Sequence, residues 1–208
     1  MRKKENIIRS LFYVSGILVL TLGIALTMKS NLGASPIDAL LVGLYNSFGL
    51  TVGSWEYIIG TVLLVINAII VGQRPHLLAL STAVLVGFGI DFWLMVLVSA
   101  DFLGIFWFNI PVLFIGAIFS GLGISTYLQA DFLPSPFDET MLVISQQLKI
   151  SLFMAKTVLM TIFLILAFLF KGPIAIGTIF LLVFSGPLIG FFYPRMQALK
   201  IKTMEVIK

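Results

Sequence analysis

"GASPIDALL" at residues 33–41 and "LPSPFDETM" at residues 133–141 set the same Ser-Pro-x-Asp pattern into apolar surroundings, with Asp38 and Asp138 one hundred positions apart. As local chemistry the pattern is a helix start. A serine at the N-cap accepts a backbone N–H, a proline at the first helical position has no N–H to lose, and an acid at the third position completes the arrangement of a capping box. Ser35, Pro36 and Asp38 therefore open one helix, and Ser135, Pro136 and Asp138 open another. The segments that follow, 36–48 and 136–148, give about 20 Å of helix each, short of the roughly 30 Å hydrocarbon core of a bilayer. A broken or re-entrant half-helix fits both.

The register extends beyond the motifs. At an offset of one hundred, "LGIALTMKSNLGASPID" and "LGISTYLQADFLPSPFD" agree at Leu22/Leu122, Gly23/Gly123 and Ile24/Ile124, and agreement continues at Thr61/Thr161, Leu64/Leu164 and Gly72/Gly172. It then slips by one, so that Gly87, Ile90 and Phe92 meet Gly186, Ile189 and Phe191. The chain reads as a duplication.

Composition fixes the solvent. Hydrophobic residues make up 60% of the 208 and charged residues 11%, against about 25% charged in an ordinary soluble domain. Apolar runs at 10–28, 57–73, 77–100, 102–130, 150–170 and 172–194 give six expected crossings. The basic start followed by an apolar run also resembles a signal peptide, but it shows no small-residue cleavage site and has a counterpart in the second half. With six crossings both termini share a side. Eleven Lys and Arg then fall on that side and two, Lys29 and Lys171, on the other, which predicts cytoplasmic termini.

The expected fold class is all-α: a polytopic membrane protein of six transmembrane helices, in two three-helix repeats at 1–100 and 101–208. Three crossings per repeat make the repeats inverted. Inverted repeats with discontinuous helices are a common plan in secondary transporters, with the central site at the repeat interface. On that plan Asp38 and Asp138 frame a site with Ser35, Pro36, Ser135 and Pro136, and Asp91, Gln129 and Glu139 add polarity. The rival reading keeps the motifs as helix caps alone, since an unsatisfied backbone group in hydrocarbon costs several kcal/mol. Both stay open here. Glu56 and Lys156 share a repeat position at span beginnings and read as interfacial.

Several classes fall away. The chain has no cysteine and a single histidine, His76, so no cofactor or multi-histidine metal site is expected. No HExxH, GxSxG or phosphate-binding loop occurs, so an enzyme is not expected. Basic residues gather at the two chain ends beside apolar runs, which reads as topology and predicts no nucleic-acid partner. The expected partners are the lipid bilayer and a small molecule or ion; a homodimer is compatible with the sequence but not demanded by it.

"LGASPIDALLVGL", "GQRP" and "GIDF" in the first half, with "LPSPFD" and "GTIFLLVFSGPLIG" in the second, resemble the bacterial YczE membrane proteins, grouped with the YyaS and YitT types. Members of that family carry a glycine-rich stretch after the Arg-Pro pair, where this chain has "HLLALST". The resemblance implies a polytopic fold in a bacterial cytoplasmic membrane and names no substrate. The function expected is a small secondary transporter or permease, with a non-transporting accessory or regulatory protein, or a lipid scramblase, as alternatives.

Overall fold

The computed structural model describes residues 2–75, 77–99, 106–132 and 135–206. His76, Leu133 and the expected span boundaries at 100 and 102 lie outside them. The described residues contain eight α-helices and no strand: α1 (Arg2–Lys29), α2 (Pro36–Phe48), α3 (Val52–Val71), α4 (Leu77–Val96), α5 (Phe106–Tyr127), α6 (Pro136–Leu148), α7 (Leu152–Leu169) and α8 (Ile176–Val206). The two short helices, α2 and α6, occupy the expected 36–48 and 136–148.

Five helices, α1, α3, α4, α5 and α8, are long and apolar enough to cross a membrane. The expected fifth crossing, α7, is shorter: its apolar run is Met154–Leu169, interrupted near the start by Lys156. The last helix overshoots its expected end at 194, passing Pro187 and Pro194 to reach Val206. At its other end, α3 begins earlier than 57, because Thr51 caps it by accepting the Ser54 N–H at 3.0 Å. Large apolar side chains such as Ile69, Trp107 and Phe168 face outward, the arrangement a hydrocarbon solvent favours.

Among the described residues the most extensive helix contact is the antiparallel crossing of α1 and α5. It is built on small residues. Gly16 faces the Tyr127 backbone, Gly23 faces Ser120, and Gly123 faces the Leu20 backbone; a Cβ at Gly116 would stand 2.8 Å from Thr27 Cγ2. Missing side chains let the two backbones approach, which is how helices associate where no hydrophobic force separates protein from lipid. The glycines pair at the same offset as the motifs, 16 with 116 and 23 with 123.

Each short helix beds on a long helix from the other half of the chain. On one side Leu40 and Leu44 of α2 pack with Phe163 and Ala167 of α7. On the other, Asn67 of α3 donates through Nδ2 to Thr140 Oγ1 of α6 at 3.0 Å, and Gly60 faces Pro136.

The ends of the bundle differ. Gly53 of α3 and Gly87 of α4 meet backbone to backbone, and the Gly53 N–H donates to Asp91 Oδ1 at 2.8 Å. Among the described residues α7 and α8 form no comparable seam: α8 leans on α5, and a Cβ at Gly186 or Gly190 would meet nothing within 4 Å. Gly53→Ala therefore forces α3 from α4 and is expected to cost about 1–3 kcal/mol, whereas Gly186→Ala should be neutral or slightly stabilising. Thermal unfolding of the two variants in detergent, beside the unaltered chain, checks the contrast.

Candidate functional site

A cavity of about 210 Å³ lies between the starts of α2 and α6, walled by α1, α3, α4, α5, α7 and α8. It is smaller than the roughly 300–1,000 Å³ of a drug-sized pocket. Most of its wall is apolar, from residues such as Ile24, Val86, Phe137 and Leu188. Its polar groups are concentrated where the two short helices begin.

Both helix starts have the capping geometry that the residues dictate. The Asp38 N–H donates to Ser35 Oγ at 3.3 Å, and the Ser35 hydroxyl donates in turn to Asp38 Oδ2 at 2.6 Å. The second start repeats this at 3.2 and 2.7 Å with Ser135 and Asp138. Each serine thus closes a loop with its own aspartate, and both aspartates remain at the cavity wall.

Beyond the caps the two starts diverge. Asp138 Oδ2 also accepts the Tyr127 hydroxyl at 2.9 Å. The residue one hundred positions before Tyr127 is Thr27, whose hydroxyl donates to the Ile24 carbonyl at 2.8 Å instead. Asp38, buried at 8% exposure, therefore has Ser35 as its side-chain donor among the described residues. The cavity also receives Glu56 from α3 and Lys156 from α7. Glu56 lies in electrostatic range of Asp38, and Lys156 in range of Asp138.

Of the residues singled out from the sequence, Ser35, Pro36, Asp38, Ser135 and Asp138 come together at the cavity. Pro136 is fully buried against α3 and does not line it. Asp91, Gln129 and Glu139 stand outside the lining: Asp91 accepts from Gly53 at the α3–α4 seam, and Gln129 donates to the Ser125 carbonyl at 3.3 Å. Glu56 and Lys156, read as interfacial, face the cavity instead. Their shared repeat position was the available signal; the face of the helix they occupy was not readable from spacing. Tyr127 and Thr82 also line the cavity without having been marked by the motifs.

Among the described residues no group of three or more His, Cys, Asp or Glu is placed to hold a metal ion. The two caps give an unequal expectation. Ser35→Ala removes both the cap and the hydroxyl donor of Asp38 and should cost about 2 kcal/mol; Ser135→Ala should cost about 1, because Tyr127 still donates to Asp138. Thermal unfolding of the detergent-purified variants reads the difference, and equal losses would contradict it.

Residues 7–194 match a family described as of unknown function, DUF6198. Two relatives from Bacillus subtilis (strain 168) align with nearly the whole chain. One, named "Uncharacterized protein YyaS", is 43% identical over 187 residues, covering 90% of this chain and 93% of its own. The other, named "Uncharacterized membrane protein YczE", is 31% identical over 194 residues, covering 93% of this chain and 89% of its own. No solved structure matches the chain at a significant level. The chain thus belongs to the DUF6198 family and, by its long apolar helices, is a multi-pass membrane protein of that family.

Proposed function

We propose that the protein is a small secondary transporter of the bacterial cytoplasmic membrane, with six crossings in two inverted repeats and a central site between α2 and α6. The observation that carries this reading is the unequal pair of seams around the cavity. Gly53 and Gly87 close α3 against α4, while the corresponding helices α7 and α8 stand apart with Gly186 and Gly190 facing empty space. Two matched seams, one closed and one open, are what alternating access requires of a repeat pair that rocks around a fixed site.

Charge bias supports the orientation. With both termini cytoplasmic, the open α7–α8 seam falls on the cytoplasmic side, beside Lys149, and the closed seam faces outward. The antiparallel run of α1 and α5 agrees with inversion, since repeat-related helices then point opposite ways. In this scheme Asp91 is the latch of the outer seam. Its carboxylate holds the Gly53 N–H, and the repeat position opposite it is Gly190, which offers no such bond.

The chain has no cysteine, so single reporters are clean. Ser120→Cys and Ser185→Cys, both in the cavity wall, should react with a membrane-impermeant maleimide from the cytoplasmic face in inside-out vesicles, and more slowly from the outer face in right-side-out vesicles. Adding Asp91→Ala should raise outer-face labelling by about tenfold, the effect of losing one charge-assisted hydrogen bond from the closed seam. Labelling from one face alone, unchanged by Asp91→Ala, would end the transporter reading in favour of a static accessory protein.

A further inference from the structure

The two halves present unequal charge to the same cavity. In the C-terminal half Asp138 is compensated: two hydroxyls, Tyr127 and Ser135, donate to its Oδ2, and the Lys156 ammonium is nearby. In the N-terminal half nothing plays the part of Lys156. The residue at that repeat position is Glu56, a second acid beside Asp38.

Glu56 is poorly supported by the protein around it. It is 7% exposed, reaches the cavity wall, and among the described residues has no hydrogen bond or ion pair. A buried carboxylate without a donor is costly unless it takes up a proton or a group from outside the protein completes it. Asp38, with one side-chain donor, shares that shortage. Three carboxyls against one ammonium make the cavity wall acidic, and the acids short of donors are Asp38 and Glu56.

We propose that Asp38 and Glu56 form a subsite for the ammonium group of a small organic amine whose apolar body lies against Ile24, Val86 and Phe137. The inference rests on the transporter reading for its biological sense and deepens it by naming the substrate class. The chemistry fits each part. An ammonium supplies the N–H donors that two neighbouring carboxyls lack, at the strength of a charge-assisted hydrogen bond. The apolar wall takes a hydrocarbon or aromatic body, and about 210 Å³ limits that body to one ring or a short chain. Lys156 disfavours a second positive charge at the far end of the cavity, so the class is a monoamine and not a polyamine.

Isothermal titration of the full chain in detergent tests this with four probes of one shape: phenethylammonium, the matching neutral alcohol, the matching carboxylate and the zwitterion phenylalanine. Phenethylammonium is expected to bind and the alcohol and carboxylate to bind at least about tenfold more weakly. Glu56→Gln should weaken the amine by about tenfold or more while leaving the unfolding temperature near that of the unaltered chain, since Glu56 makes no hydrogen bond to lose. Lys156→Met should strengthen it. Equal binding of amine and alcohol, or amine binding untouched by Glu56→Gln, overturns the subsite. Tightest binding of the zwitterion, lost in Lys156→Met, overturns it in favour of a site for amino acids. Vesicle labelling separates the two levels: two-sided access without amine binding leaves a transporter of another substrate, and amine binding with one-sided access leaves a binding protein that does not transport.

Discussion

The close approach of α1 and α5 is the constraint on which the rest depends. Their glycines bring two long helices into backbone contact, and among the described residues no other pair of helices meets so extensively. The polar cavity wall is arranged beside that crossing. Because α1 and α5 run antiparallel, the loops that follow them emerge at opposite ends, and the helices those loops deliver, α2 and α6, enter the bundle from opposite directions. The cavity is the space left between the starts of the two short helices. A bulky side chain at Gly23 or Gly116 would separate the crossing and move both helix starts with it.

A second constraint comes from the solvent. In hydrocarbon a helix start exposes N–H groups that no water can satisfy, so a helix that begins within the membrane must bring its own acceptor. Ser35 and Ser135 do this in the same way, and each aspartate is held by the serine it follows. The cap and the cavity are therefore one structure. The carboxyls that hold the capping serines also stand at the cavity wall, so reading the motifs as caps and reading them as site residues are compatible descriptions.

The local pattern was legible to the residue at both short helices, because a Ser-Pro start and a limited apolar run depend only on neighbouring positions. The glycine and motif offsets of one hundred were visible in the same way. What spacing could not carry was facing. Glu56 and Lys156 were visible as a repeat-related pair, but the direction in which α3 and α7 turn them is set by the helices packed behind, so they read as interfacial when they line the cavity. Asp91 was visible as a lone acid in an apolar run; its partner is a backbone N–H on α3, and a backbone donor leaves no mark in the side-chain sequence. The reach of α8 was missed because the apolar run ends at Pro194, before Arg195, while the helix continues past that proline to Val206.

The exchange of short helices between halves has a consequence for how the chain is made. The bed for α2 is α7, whose last turn lies roughly 120 residues downstream of the end of α2. At about 5–20 residues per second, α2 waits on the order of 6–24 seconds for its partner during synthesis. Through that interval Leu41 can already pack on α1, α3 and α4, but the Leu40 and Leu44 side of α2 lacks its partner, so the first half leaves the ribosome as an unfinished object. Neither half is a unit of assembly in its own right. The α7-facing side of α2 is completed only when the second half closes over the first.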